Sequence, residues 1–344
     1  MRTRVLVARL DNEGDVLLAG PAIRAVSATA GHLTLLCGPR GRQAAELLPG
    51  VDEILVHRAP WIDPEPEPVD SGRILGLVWE VAERGFDQAI VLTSFHQSAL
   101  PLALLLRPAR VPVVAAISQD YPGSLLDVRH RVDDDVHEVE RALSLVATLG
   151  HRLPPADDGR LSVRIPPLPD GWPDDPYVVV HPGASVSARA WPAERHAALV
   201  DALADTGRRV AVTGGPAERR LTARVAGRNR PRVSDLGGRT TLGELGAVLS
   251  RADAVVVGNT APAHLAAAVG TPVVSLYAPT VPAERWRPWR VAHELLYREV
   301  PCAGCRARTC PVPGHPCISE ITTDEVMAAL ERLAPLRDPR AVMA

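Results

Sequence analysis

The chain alternates short apolar runs with amphipathic segments, and the alternation occurs twice. Residues 4–10 read as a strand and 17–28 as a helix, followed by the strand HLTLLCG, a helix near 40–48 and the strand VDEILVHR. Residues 60–70, PWIDPEPEPVD, are rich in proline and acid and read as a loop. A helix at 74–84, the strand FDQAIVLTS, a helix at 98–106 and the strand VPVVAAI complete the series. Strands that alternate with helices predict a parallel sheet covered on both faces. After the amphipathic helix in DDVHEVERALSLVATLG, residues 151–175 carry many prolines and few periodic apolar positions. The alternation then restarts with YVVVHPGAS, PAERHAALVDALADTG, RRVAVTGG, PAERRLTARVAG, LGELGAVLSRA, DAVVVGNT, PAHLAAAVG and PVVSLYAPT.

The expected organisation is therefore α/β, with two Rossmann-like domains in tandem. They are placed at residues 1–160 and 176–344, joined by a linker at 161–175 within the wider hinge candidate 151–175, and the last helix is free to pack back on the first domain. A length of 344 residues suits two domains. Aromatic residues are only 3%, so the core must be Val, Leu, Ile and Ala. The net charge of −2 gives no field for nucleic acid. There is no lysine, so cationic contacts fall to arginine and histidine. The N-terminal run RVLVARL is interrupted by Asp11 too soon for a signal peptide, and no apolar stretch nears the ~20 residues of a span. A cytoplasmic protein with at most peripheral membrane contact is expected.

Ligands of open α/β sheets bind at the carboxyl ends of strands, which restricts the search to strand-to-helix turns. In the first turn Gly14 permits close approach, and Asp15 has two readings, a helix N-cap or a carboxylate acting as general base. In HPGASVSARAW, Ser185, Ser187 and Arg189 precede a helix and suit a phosphate, with Trp191 as a lid; Arg189 read alone is a solvated surface residue. In TGGPAERRL, Thr213 and Gly214 end a strand, and Glu218 meets either a ribose hydroxyl or the helix dipole. In NTAPAH, Thr260 is a good N-cap and Pro262 suits the first turn, so free N–H groups and the dipole make an anion site. Ala261, Ala263 and Ala266 keep the approach clear, and His264 either faces the anion or is structural. No turn carries GxGxxG or GxxxxGK[ST].

Taken in order, GDVLLAGPAIRAV, VHPGAS…ARAWPAERHAALV, GGPAERRL, DLGGRTTLGELGAVLSRADAVVVGNTAPAHLAAAVGTPVVSLYAPT and CAGCRARTCPVPGHPCISEITTDEV resemble family 9 glycosyltransferases, the ADP-heptose:lipopolysaccharide heptosyltransferases and their relatives. The resemblance covers nearly the whole chain and is densest from 177 to 330. It implies the GT-B fold, with two parallel sheets facing across a cleft that closes in catalysis, and inverting, metal-independent sugar transfer from a nucleotide diphosphate sugar, ADP-heptose by default. The acceptor hydroxyl is on a glycan, lipopolysaccharide-core-like, or on a small molecule. By the same resemblance Asp15 matches the general base, and Arg189 stands where a lysine usually neutralises the diphosphate. Asn259, Thr260, Ala261, Pro262, Ala263 and His264 match the pyrophosphate-binding helix start, and Glu218 lies near the ribose. SFHQSALP places His96, Gln97 and Ser98, with Gly14, on the acceptor side. Asn259-Thr260-Ala261 departs from the usual Asp, Ser or Thr, Gly, which bears on the donor sugar rather than the reaction class. The alternatives are a catalytically degenerate sugar-nucleotide binder and a GT-B sugar-nucleotide epimerase.

Cys37 is alone in a strand, whereas Cys302, Cys305, Cys310 and Cys317 are spaced C-x2-C-x4-C-x6-C. That spacing is open to structural zinc or an iron–sulfur cluster, and a disulfide suits a cytosolic protein less. The transfer chemistry requires no cofactor there.

Overall fold

The computed structural model describes residues 3–133, 135–168, 172, 175–228 and 230–335. It divides into two compact units, Met1–Arg164 and Ile165–Ala344, a boundary that falls inside the segment expected to link them.

The first unit runs β1 (Arg4–Arg9), α1 (Glu13–Leu18), α2 (Gly20–Ser27), β2 (His32–Cys37), α3 (Arg42–Leu47), β3 (Glu53–Val56), α4 (Ser71–Arg84), β4 (Gln88–Leu92), α5 (Leu100–Leu106), β5 (Val113–Ile117), β6 (Val128–His130) and α6 (Glu138–Thr148). Among the described residues its sheet is six-stranded and parallel, in the order β3-β2-β1-β4-β5-β6. Val5, Leu6, Val7 and Ala8 of β1 are all buried, because helices cover both faces of the sheet. The chain leaves β1 toward β2 on one side and returns to β4 on the other, so the order reverses between β1 and β4.

The single helix expected at 17–28 begins four residues earlier, at Glu13, and is broken at Ala19. Pro21 has no N–H to continue the ladder, so a second helix starts, with Ile23 bonding the Ala19 carbonyl at 2.9 Å. Asp70 caps α4 by accepting from the Arg73 amide at 2.7 Å, which moves that start from 74 to Ser71.

The second unit runs β7 (Tyr177–His181), α7 (Ala193–Asp205), β8 (Arg209–Val212), α8 (Arg219–Ala226), β9 (Val233–Asp235), α9 (Leu242–Ser250), β10 (Ala254–Gly258), α10 (Ala261–Val269), β11 (Val273–Leu276), α11 (Ala283–Trp286), β12 (His293–Leu296), α12 (Pro316–Ser319) and α13 (Thr323–Leu333). Its parallel sheet, β12-β11-β10-β7-β8-β9, repeats the order of the first when β7 is counted as its first strand, so the reversal lies between β7 and β10. The last described helix is α13. Val326, Ala329 and Leu330 of α13, spaced for one helix face, pack into the second unit's core with Leu199, Leu203 and Val274. Residues 336–344 lie outside those described. The strands β6, β9 and β12, not expected from the sequence, are short, partly exposed edges.

Candidate active site

Each unit gathers polar side chains at the carboxyl ends of the two strands where its sheet order reverses. In the first unit the centre is Arg9, the last residue of β1, buried to 3% exposure. Its Nη2 lies 3.0 Å from Asp15 Oδ1 and donates to Ser94 Oγ at 2.9 Å, and both terminal nitrogens donate to Glu138 Oε2 at 3.2 Å. Its Nε stands 2.8 Å from Asp11 Oδ2 as an ion pair, without the alignment of a hydrogen bond. Gln97 completes the group, donating to Asp11 Oδ1 and accepting from the Ser94 amide at 3.2 Å.

Three carboxylates therefore share one guanidinium. Burial pushes the Asp11 carboxyl up to about 6, and Asp15 and Glu138 add to the rise against the opposing pull of Arg9 and Gln97. Burial likewise raises Glu138, with Arg9 and Arg141 opposing. Burial works against the charge of Arg9, but the three carboxylates outweigh it and hold the guanidinium above its ordinary value. Asp15 is not the N-cap of α1. That position is Asn12, and Asp15 lies within the first turn with its side chain turned to Arg9. Gly14 is buried in the same turn. Of the acceptor-side residues, Gln97 joins the cluster. His96 is exposed with its ring edge on Phe95, at 5.3 Å and 73°, and exposed Ser98 accepts from the Leu100 amide.

In the second unit, β7 ends at His181 and leads through exposed Ser185 into a 3-10 turn at Ser187–Arg189. Ser187 Oγ donates to the Arg308 carbonyl at 3.2 Å, and Arg189 Nε donates to Thr280 Oγ1 at 3.3 Å. Arg189 is half-buried, so it is no free surface arginine. Trp191 is not a lid. It is 3% exposed, its ring stands edge-on to His196 in the core, and its Nε1 donates to the Ile321 carbonyl.

Thr213 is buried, with Oγ1 3.0 Å from His181 Nδ1. Burial lowers the pKa of His181 despite Glu218, whose Oε2 is 3.9 Å from His181 Nε2, and so favours the neutral ring. Glu218 closes the 3-10 turn Pro216–Glu218 and reaches back to accept from the Gly215 amide at 2.7 Å. Its carboxylate occupies the space above Gly183 and close to Gly214, where a Cβ on Gly183 would overlap it.

β10 runs into α10 through Asn259 and Thr260. Thr260 holds the N-cap position with extended backbone, φ −137° and ψ 173°, yet its hydroxyl makes no capping bond. The Oγ1 of Thr260 and the Oδ1 of Asn259 are buried with no hydrogen-bond partner among the described residues. Pro262 supplies no N–H, and the Ala263 amide is already spent on the Thr260 carbonyl at 3.0 Å, so the expected row of free donors is shorter than the sequence implied. Pro262 and His264 are buried, Ala261 is half-buried, and Ala263 and Ala266 belong to the core rather than to the approach.

The late cysteines differ in exposure: Cys302 and Cys305 are exposed, Cys310 is half-buried and Cys317 is buried. All four line one cavity of about 30 Å³, together with His315. Sequence reasoning missed Arg9, Asp11, Ser94 and Glu138 as a unit. Its one local signal was a charged residue, Arg9, closing the apolar run VLVA just before Asp11.

Two parallel doubly wound sheets in tandem, each with its polar groups at its own reversal point, define the GT-B class of α/β protein. The sequence model of Glycosyltransferase family 9 (heptosyltransferase) matches residues 74–315, and the chain belongs to that family. Lipopolysaccharide heptosyltransferase 3 of Escherichia coli is 34% identical over 168 residues, which are 46% of this chain and 47% of that protein. The chain thus spans about half the length of the curated relatives it matches. Two solved structures share the fold over almost their full length. The glycosyl transferase family 9 protein of Veillonella parvula DSM 2008 has a TM-score of 0.75 at 21% identity, covering 96% of this chain and 97% of that one. The E. coli heptosyltransferase WaaC solved with ADP-2-deoxy-2-fluoro heptose has a TM-score of 0.72 at 22% identity, covering 96% and 99%.

Proposed function

We propose that this chain transfers a sugar, a heptose by likeness to its relatives, from a nucleotide diphosphate sugar to an acceptor hydroxyl, with inversion at the anomeric carbon and no metal in the transfer. The second unit takes the donor and the first unit supplies the base. The observation that carries the reading is the carboxylate cluster at the reversal point of the first sheet. Of its three carboxylates, Asp15 keeps 19% of its side chain exposed, against 4% for Asp11 and 2% for Glu138. Asp15 alone reaches outward and accepts the acceptor's proton, while Asp11 and Glu138 take up part of Arg9's charge, so that Asp15 is held in place without being fully neutralised. The hydroxyl oxygen then attacks the anomeric carbon from the face opposite the leaving diphosphate, which gives the inversion.

The donor assignment rests on α10 and the Arg189 turn. Two buried oxygens without a partner among the described residues, Asn259 Oδ1 and Thr260 Oγ1, stand at a strand end where ligands of such sheets bind, and a ligand's hydroxyl protons would satisfy them. Arg189 and the Ala261 amide meet the growing charge of the diphosphate. Glu218, already engaged with Gly215, retains Oε1 for a ribose hydroxyl. The acceptor is a glycan of lipopolysaccharide-core type or a small molecule, met on the His96–Ser98 side. No helix among the described residues is long and apolar enough to cross a membrane, and lipid-linked acceptors would be met peripherally.

The test is calorimetric titration with ADP, UDP and GDP without added metal, followed by Asp15→Asn. One nucleotide should bind, ADP first. The variant should keep that affinity and lose roughly 10²–10⁴-fold in turnover. Turnover that survives in Asp15→Asn removes the base assignment, and failure of all three nucleotides to bind removes the donor assignment.

A further inference from the structure

We propose that the outward face of α4 is a self-docking surface, on which a second copy of this chain packs its own α4 antiparallel about a two-fold axis at Gly76.

α4 sits on the first sheet through Leu77 and Val81, which are buried in one core with Leu36 and Leu55. At roughly 100° per residue, the opposite side of the helix falls to Gly72, Leu75, Gly76, Trp79 and Glu83. A helix that packs by one face normally turns charged residues outward on the other. Here Leu75 is 56% exposed and Trp79 is 68% exposed. They stand four positions apart, about one turn, so the two side chains make one patch rather than two scattered ones. Trp79 is also the exposed one among six tryptophans: Trp61, Trp172 and Trp286 are half-buried, and Trp191 and Trp289 are buried.

The charges beside the patch select its occupant. Arg73 and Glu80 are both exposed and lie nearly two full turns apart on the same border. Arg73 is three positions before Gly76, and Glu80 is four positions after it. When two copies of α4 run antiparallel with the axis at Gly76, each Arg73 meets Glu80 of the other copy, and the pair forms twice. The ring of each Trp79 then comes opposite Arg73 of the other copy, with the guanidinium within reach of its π-face. Within one chain Arg73 Nη1 donates to Glu67 at 2.6 Å, and Glu80 stands 3.4 Å from Arg84 Nη2. Arg73, Glu67 and Glu80 remain open to solvent, so these pairs hold weakly, and the guanidinium has donors for both partners. A lipid surface suits the face less, because Glu80 and Glu83 would be carried against anionic headgroups.

Gly76 suits the crossing point. It is exposed, and no atom lies within 4 Å of the place where a Cβ would stand, so a second backbone can approach. The glycine permits the approach; Leu75 and Trp79 drive it, through apolar area taken out of water. The same patch serves both copies, so the contact is isologous and closes at two chains. One helix pair is at the low end of interface sizes, which sets the dissociation constant at roughly 1–100 μM. The pairing depends on neither the donor nor the base assignment.

The test is analytical ultracentrifugation of the full chain from about 1 to about 200 μM. A species of twice the monomer mass should grow in with concentration. Trp79→Glu, at an exposed position that spares the core, should weaken the dimer at least tenfold and leave the melting temperature unchanged. Arg73→Glu and Glu80→Arg should each weaken it several-fold. The two together should restore it, because the reversed charges again face each other. A chain that stays monomeric throughout overturns the proposal. So does a dimer that Trp79→Glu leaves intact, or a double variant that pairs no better than the single ones. Phosphatidylglycerol vesicles that bind the monomeric wild-type chain but not Trp79→Glu would also overturn it, by giving the face to a lipid.

Discussion

Arg9 and Glu138 are separated by 129 positions in sequence, yet their charged ends meet at 3.2 Å beneath the carboxyl ends of β1 and β4. The contact ties the first strand to α6 and is sealed from water on both sides, at 4% and 2% side-chain exposure. Arg9→Met keeps much of the volume and removes the cation that Asp11, Asp15 and Glu138 all contact. Removing one partner of a buried ion network costs about 3–5 kcal/mol, because the other partners stay behind uncompensated. The loss should be largest at neutral pH and should shrink at about pH 5, below the value of about 6 to which the Asp11 carboxyl is raised, with the raised Glu138 carboxyl acting in the same direction. Urea unfolding of both proteins at the two pH values measures it. An equal loss at both would mean that Arg9 acts through packing.

Asp11 permits a sharper pH prediction. Its carboxyl is raised from 3.8 to about 6 in the folded protein, so the folded state binds the proton more tightly than the unfolded chain. The group's favourable contribution is complete below about pH 4 and is lost as pH rises through about 6. Asp11→Asn removes the penalty while its amide oxygen still accepts from Gln97. Relative to wild type, the variant should therefore gain stability across the window from about pH 4 to about pH 6, by about 3 kcal/mol, and stay level above it. Melting curves through that window read the difference directly, and a flat difference would mean that Asp11 is not the group carrying the raised value.

Much of this was legible because local chemistry decided it. The runs VLVA of β1 and VVV of β10 are apolar at every position, as strands covered on both faces must be, and the polar breaks after them fall at strand ends, where ligands of open α/β sheets bind. Asp15, Arg189, Asn259 and Thr260 were found at such breaks. What was not legible depends on partners distant in sequence. Nothing near Arg9 announces Glu138. Nothing near Trp191 says that its indole donates to Ile321 in the core rather than covering a loop. The edge strands are too short for their periodicity to show.

Gly183 and Glu218 form a second testable pair. The Glu218 carboxylate reaches back over Gly183 to cap the Gly215 amide, and a Cβ at 183 would displace it. The displaced group is the end of a flexible side chain, so Gly183→Ala should cost about 1 kcal/mol, the size of a lost cap, rather than a backbone rearrangement. Glu218→Ala should cost a similar amount. In the Glu218→Ala background the Gly183 substitution should cost almost nothing further, since the cap is already gone. Denaturant melts of the two single variants and the double variant complete the cycle. Additive losses would show that the glycine is needed for its own backbone rather than for the room it gives Glu218.

Thr260 separates stability from binding. Its hydroxyl is buried at the N-cap of α10, makes no capping bond and has no partner among the described residues. An unpartnered buried polar atom costs the folded state free energy, so replacing it with a methyl of the same shape is neutral or favourable. Thr260→Val should leave the melting temperature unchanged or raise it slightly, although substitution of an N-cap threonine normally costs about 1 kcal/mol. If that oxygen is held for the donor, nucleotide-sugar affinity should fall about tenfold, the worth of one hydrogen bond at roughly 1.4 kcal/mol. Parallel melting and calorimetric titration of the variant read both quantities. A large drop in melting temperature would show that the hydroxyl caps the helix after all. Unchanged affinity would place the donor elsewhere on the second unit.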